Sequence, residues 1–247
     1  VAALTIPVAR QMATIPPHSD PSSNPVALEP SDSLPDIYYI VLDGYARSDI
    51  LADLYRYDNS DFVRFLESKD FIVPNQNRSN YPKTALSVTS TLNMDYIDSL
   101  APGLEEQPFW WLMSPMLDHS RVRASLELIG YQTVSITTDW GITDNPTADI
   151  YLSPRPVVLN DFESFLLVKT PLGFVTPWLT RIAFVPSFGS HRELIRFDIE
   201  SLAQIPALPG HKFVFAHIVA PHPPFVFDAA GNPLQPDYPF SFNDASD

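Results

Sequence analysis

Cysteine is absent, which excludes disulfides, thiolate zinc sites and a cysteine nucleophile. Positive charge is scarce: 15 Lys and Arg stand against 29 Asp and Glu, for a formal net charge of -14. A basic face for nucleic acid is thereby excluded, and broad adhesion to anionic membrane is disfavoured. A metal site can still recruit a phosphate ester, because the local ion outweighs the net field. Glycine is rare at 8 residues while proline reaches 26, so many connections are stiff and irregular. Long apolar runs are missing too. Residues 1–9 fall far short of the ~20 residues of a membrane span. Residues 170–186 are broken by Pro171, Gly173, Pro177 and Arg181; they read as core packing in preference to a lipid-facing or substrate-facing flap.

What is present is ordinary globular material, 45% hydrophobic over 247 residues, enough for one α/β domain or two small ones. The chain opens on Val1 and not on Met, as a cut, processed or excerpted chain does. Its first nine residues read either as the tail of an upstream span or signal, or as a frayed terminus. Residues 1–35 form a Pro/Ser-rich linker or membrane-proximal tail. Residues 36–247 carry the folded domain.

That domain opens with Ile37-Tyr38-Tyr39-Ile40-Val41-Leu42, a buried-strand pattern ending at Asp43-Gly44. Sites in open α/β sheets lie outside the carboxyl ends of strands, so Asp43 is placed where a carboxylate can hold a metal. Ser48-Asp49 caps one short helix. The segment 57–60 caps a second, with Phe62, Phe65 and Leu66 on one face. Phe71-Ile72-Val73 reads as a short strand. Asn80-Tyr81-Pro82-Lys83-Thr84 then leads into a helical run, which puts Thr84 at a helix N-terminus, where free N–H groups favour an anion. Residues 93–108 read as loop, and Trp110 and Trp111 as core or pocket wall.

Further on, residues 121–129 read as a helix stopped by Gly130, residues 131–137 as a strand, and residues 149–152 as another. Asp139 lies just past the first of these strands, on the catalytic side, as a substrate contact or a turn residue. Asn160-Asp161 caps a further helix. Ser190 and Glu193 form an S-x-x-E capping box. Residues 212–219 are a strand buried on both faces, and His217 within it reads as a core histidine with a hydrogen-bond partner. His222 follows at the strand's end in Pro221-His222-Pro223-Pro224.

Strand-Asp-Gly, a β-α-β unit, Pro-Lys-Thr opening a helix, a helix-Gly-Tyr-strand step and a strand ending in His-x-Pro together resemble the alkaline phosphatase superfamily on its sulfatase-like side. Pro-Lys-Thr is similar to the nucleophile segment of nucleotide pyrophosphatase/phosphodiesterases. Lipoteichoic acid synthases and phosphoethanolamine transferases likewise use a metal-bound threonine. The resemblance covers residues 36–227. It implies an α/β, alkaline-phosphatase-like three-layer sandwich with a mostly parallel sheet, incomplete at its C-terminus. It also implies a hydrolase or transferase acting on phosphate or sulfate esters, with Thr84 as nucleophile and metal ligand and Asp43 as metal ligand. His222, Ser87, Asn80 and Asp139 would contact substrate, although phosphodiesterase relatives carry an asparagine where Ser87 stands. The cofactor implied is a divalent metal, zinc or manganese in preference to calcium or magnesium. The setting implied is a membrane-anchored, extracytoplasmic domain with its anchor upstream of residue 1.

Relatives complete the metal site with Asp-His-Gly beyond the His222 position. No such motif follows here, and Asp118-His119, the single Asp-His pair, reads as a surface loop or helix start. The expectation is the N-terminal part of a longer enzyme, inactive by itself, or else a pseudo-enzyme. A formylglycine sulfatase needs Cys or Ser at the nucleophile, which Thr84 is not. The rival from another class is a non-catalytic surface or binding protein, in which Thr84 only caps a helix and Asp43 only turns the chain.

Overall fold

The computed structural model describes residues 25–29, 33–101, 113–138, 140–154, 157–158, 183–184, 187–238 and 240–242. The linker up to residue 24, Trp110 and Trp111, Asp139, the helix expected after Asn160 and nearly all of 170–186 lie outside them.

The elements run in the order β1 (Ile37–Leu42), α1 (Ser48–Tyr55), α2 (Ser60–Glu67), α3 (Thr84–Asn93), α4 (Ile97–Leu100), α5 (Ser114–Asp118), α6 (Arg121–Glu127), β2 (Gln132–Ile136), β3 (Ile150–Leu152), β4 (Val157–Val158), β5 (Ala183–Phe184), α7 (Phe188–Gln204) and β6 (Lys212–Ile218). Four strands form one sheet in the order β1-β6-β2-β3, and every pairing in it is parallel. β4 and β5 pair as a separate parallel ladder. The chain is thus α/β. Among the described residues no helix is long and apolar enough to cross a membrane.

β6 sits inside the sheet between β1 and β2, and all seven of its residues are buried. This explains its unbroken apolar run, since a strand covered on both faces has no polar side to alternate with. Side chains alternate across a strand, and the packing follows that parity. Phe213 and Phe215 face Val88 and Leu92 of α3, Leu117 of α5 and Leu126 of α6. Val214 and Ala216 face the opposite way, toward Ile205 and toward Phe197 and Leu202 of α7. Helices therefore cover both faces of the sheet.

Several local expectations are corrected. Phe71-Ile72-Val73 is not a strand: it pairs with no other strand, its Phe71 N–H closes the end of α2 onto the Leu66 carbonyl, and Phe71 and Ile72 are 61% and 91% exposed. Three residues with no neighbouring strand gain nothing from β propensity alone. α1 does form at Ser48, but Arg47 occupies the cap position and no side chain caps it. α7 begins two residues ahead of Ser190. Its cap is Ser187, whose side chain accepts from the backbone N–H of Ser190. Phe188 is the reason: extending the helix backward buries this ring in the cluster of Ile195, Ile218 and Val226. Asp118 ends α5 and starts no helix.

The entry to the sheet is held by a charge pair. Lys212 is 2% exposed. Its ammonium lies 3.0 Å from Oδ2 of Asp36 and also donates to the carbonyls of Leu208 and Gly210. Its backbone N–H donates to Oδ1 of Asp36 at 3.1 Å. Burial raises the Asp36 pKa, but these bonds and the Lys212 charge outweigh it and leave the carboxyl below its ordinary value. A depressed carboxylate contributes stability above its unfolded pKa and loses it as pH falls through the folded one. Asp36→Asn is expected to destabilise the fold by about 1.5–3 kcal/mol at neutral pH. The difference from wild type should vanish below the depressed Asp36 pKa, as read by denaturant unfolding at several pH values.

Candidate functional site

The site forms where β1 and β6 end together. Their register runs from Ile37 opposite Phe213 to Leu42 opposite Ile218. The backbone N–H of Asp43 continues the ladder onto the Ile218 carbonyl at 2.9 Å. Tyr39, Val41 and Asp43 share one parity on β1 and its continuation; Phe213, Phe215 and His217 share one on β6. Tyr39, Val41, Phe213 and Phe215 all belong to the face that α3 covers. Asp43 and His217 are thereby turned toward α3.

α3 presents Thr84 to them. Thr84 is its first residue, after Lys83 in extended conformation, and no side chain caps this end. The helix is anchored by Ala85, Leu86, Val88 and Leu92, all buried, which fixes the position of its first turn. The Thr84 hydroxyl donates to Oδ1 of Asp43 at 3.1 Å. The first-turn N–H groups are left to an anion or to water.

His217 approaches from the other side of the carboxylate. Its side chain has no exposed surface, and Nε2 lies 3.3 Å from Oδ2 of Asp43. That is ion-pair range, but the two are not aligned as a hydrogen bond, so Nε2 is buried without a hydrogen-bond partner. Nδ1 is held by the Thr143 hydroxyl at 2.6 Å, and the Trp140 ring lies against the imidazole at 5.8 Å. Burial raises the Asp43 pKa. His217 beside it, the charge of His222 and the Thr84 hydroxyl together outweigh burial and leave it below the ordinary value. Asp43 is therefore an anion at neutral pH.

His222 stands on the loop after β6, half-buried, with its Nδ1 against the Pro223 carbonyl and its ring near Phe242. Gly44 brings this loop close: a side chain there would meet the His222 backbone N and Cα at 3.2 Å, and its φ is +79°. Asn80 and Ser87 come together near the start of α3, but they bond each other at 2.6 Å. Asn80 also donates to Ser90, and Ser79 contacts Ser87. This network splints the turn ahead of Thr84. Asp139 lies outside the described residues.

The residue that sequence reasoning placed in the core and not in the site is His217. Its buried position and hydrogen-bond partner match that reading; its second nitrogen does not. The signal was parity: His217 shares the face of Phe213 and Phe215. Which strand lies alongside, and in what register, is not visible in the local sequence.

The donors around Asp43 are carboxylate oxygen, hydroxyl oxygen and imidazole nitrogen, a mixed set that suits zinc or manganese. The buried, partnerless Nε2 is the kind of atom a cation satisfies. The residues present fit a divalent ion on these grounds. Among the described residues no group of three His, Asp or Glu side chains could hold one. A cleft of about 460 Å3 is lined in part by Tyr45, Arg47, Asn59, Phe62, Arg78 and Ser79, and Ser79 links it to the start of α3 through Ser87. Comparison with protein-family models, with curated proteins and with solved structures finds no match for this chain.

Gly44 is the position where backbone and site depend on each other most directly. Gly44→Ala is expected to destabilise the protein by about 1–2 kcal/mol from the left-handed backbone alone. It should also displace His222, seen as a lower denaturant midpoint and a shifted imidazole resonance for His222.

Proposed function

We propose that this chain carries the nucleophile side of a metal-dependent hydrolase or transferase acting on phosphate or sulfate esters, built on an alkaline-phosphatase-like scaffold. The observation that carries the reading is the Thr84 hydroxyl, at an uncapped helix N-terminus and 3.1 Å from a buried-side carboxylate oxygen of Asp43. A nucleophile needs both features: an acceptor that orients its proton and donors that receive the charge of the group it attacks.

Asp43 and Thr84 would hold the divalent ion. When bound, such an ion lowers the pKa of a coordinated hydroxyl and offsets charge on the transferring group. Thr84 Oγ1, oriented by its hydrogen bond to Asp43 Oδ1, attacks phosphorus in line, giving up its proton to solvent, from which the leaving oxygen takes one. The new Oγ1–P bond forms as the bond to the leaving oxygen breaks. The first-turn N–H groups of α3 face the equatorial oxygens, and His222 donates to one of them. Water then attacks the phosphothreonine in a hydrolase, or an acceptor alcohol does in a transferase; either restores the Thr84 hydroxyl. The cleft offers an apolar wall at Phe62 and a cationic rim at Arg47 and Arg78 for the organic part of the ester. Arg47 already shares its charge with Asp49 at 2.6 Å, which leaves Arg78 as the more available of the two.

Asn80 and Ser87 act at one remove in this reading, because their mutual hydrogen bond holds the turn that presents Thr84. The membrane-anchored, extracytoplasmic setting implied by the sequence resemblance belongs to the same proposal.

The test is hydrolysis of aryl phosphate monoesters, aryl phosphate diesters and an aryl sulfate by the intact protein with added zinc or manganese. Turnover is expected with at least one ester class and should fall to background in Thr84→Ala, with circular dichroism unchanged. Metal-dependent turnover that survives Thr84→Ala would overturn the mechanism.

A further inference from the structure

We infer that His217 is itself a ligand, through Nε2, to the ion that Asp43 holds, and that Thr143 fixes the tautomer that makes it one. The inference rests on the metal-dependent reading above and adds a donor that the sequence resemblance does not supply.

Three observations carry it. Nε2 is fully buried and has no hydrogen-bond partner, although an acceptor carboxylate stands beside it. A buried imidazole nitrogen is seldom left so unless a group absent from the protein satisfies it. The second observation is the spacing. Two donors on one tetrahedral ion, each at about 2.0–2.1 Å, stand about 3.3–3.4 Å apart. Nε2 and Oδ2 of Asp43 are 3.3 Å apart. A direct N–H···O bond is shorter, near 2.9 Å, and straighter.

The third observation is the support on the other ring nitrogen. Thr143 Oγ1 lies 2.6 Å from Nδ1, and the Thr143 backbone N–H is tied to the Trp140 carbonyl at 3.1 Å, which holds the hydroxyl against the ring. In the inferred tautomer the oxygen accepts from Nδ1–H. The ring then carries its lone pair on Nε2, pointing at the Asp43 carboxylate. Two acceptors in that position repel unless a cation stands between them. Histidine ligands are characteristically held in this way by a second partner on the opposite nitrogen. The ring has no room to turn away, since its side chain has no exposed surface and it packs against Trp140 and Thr143. The rival is an imidazolium paired directly with Asp43, with no ion between.

The experiment measures zinc affinity by chelator competition and the visible spectrum of the cobalt(II) form, on the intact protein. The variants are Thr143→Val, His217→Gln and Asp43→Asn. Thr143→Val keeps the side-chain shape and every donor around Asp43. It is expected to weaken zinc by about 10–100-fold, the usual effect of losing a ligand's supporting partner. His217→Gln should weaken zinc further and shift the cobalt bands, because an amide oxygen replaces the imidazole. Unchanged affinity in Thr143→Val, with Asp43→Asn abolishing binding, would overturn the role of His217 and leave the metal site at Asp43 standing. No zinc or cobalt binding by the wild-type protein would overturn both. If His217→Gln does not fold, the Thr143→Val affinity decides alone.

Discussion

The parallel pairing of β1 with β6 is the constraint on which the site depends. It fixes which residue of one strand stands beside which residue of the other, and therefore that Asp43 and His217 end on the same face. A shift of one residue would turn every side chain of β6 to the opposite face. His217 would then point toward α7, and the seam would put Val214 and Ala216 under α3. The apolar packing resists that slip on both faces at once: Phe213 and Phe215 fill one side, Val214 and Ala216 the other. The Lys212–Asp36 pair pins the opposite end of the same two strands. Register is thus specified by core volume and by one partly buried charge pair, and the Asp43 carboxylate inherits its position from both.

The third member of the site arrives by a separate route. α3 is not on a strand end; it is a helix laid across the sheet, held by Val88 and Leu92 on one cluster and Ala85 and Leu86 on another. Because these anchors include the residues immediately after Thr84, its first turn is placed by packing and not by a cap. The price of leaving that end uncapped is a set of unsatisfied N–H groups. In a purely structural helix a Ser, Asp or Asn would be the economical choice there. α1 begins in the same way, with Arg47 in the cap position and no side-chain cap.

Much of this was legible in the sequence. β6 with its unbroken apolar run, the Gly-terminated helix before β2 and the start of α3 after Pro82-Lys83 follow from local composition, whereas β1, expected to be buried, is an edge strand with Ile40 and Leu42 exposed. The α/β class follows from their order. What local composition could not supply was anything set by partners distant in the chain. Phe71-Ile72-Val73 has strand composition but no strand to pair with. The α7 cap moved from Ser190 to Ser187 because Phe188 had a cluster to fill. Asn80 and Ser87 have the chemistry of substrate donors, and their proximity lets them bond each other instead. His217 was read correctly as buried, yet its second nitrogen acquires meaning only from Asp43, a neighbour created by sheet order.

If the ends of β1, β6 and α3 build one cation-binding nucleophile site, zinc must settle between them. The most direct measurement is an anomalous difference map, recorded above and below the zinc edge, from crystals of the intact protein grown with zinc. A single strong peak is expected about 2.0–2.2 Å from donor atoms of Asp43, Thr84 and His217. Zinc bound elsewhere in the crystal, with no peak at Asp43, would contradict such a site.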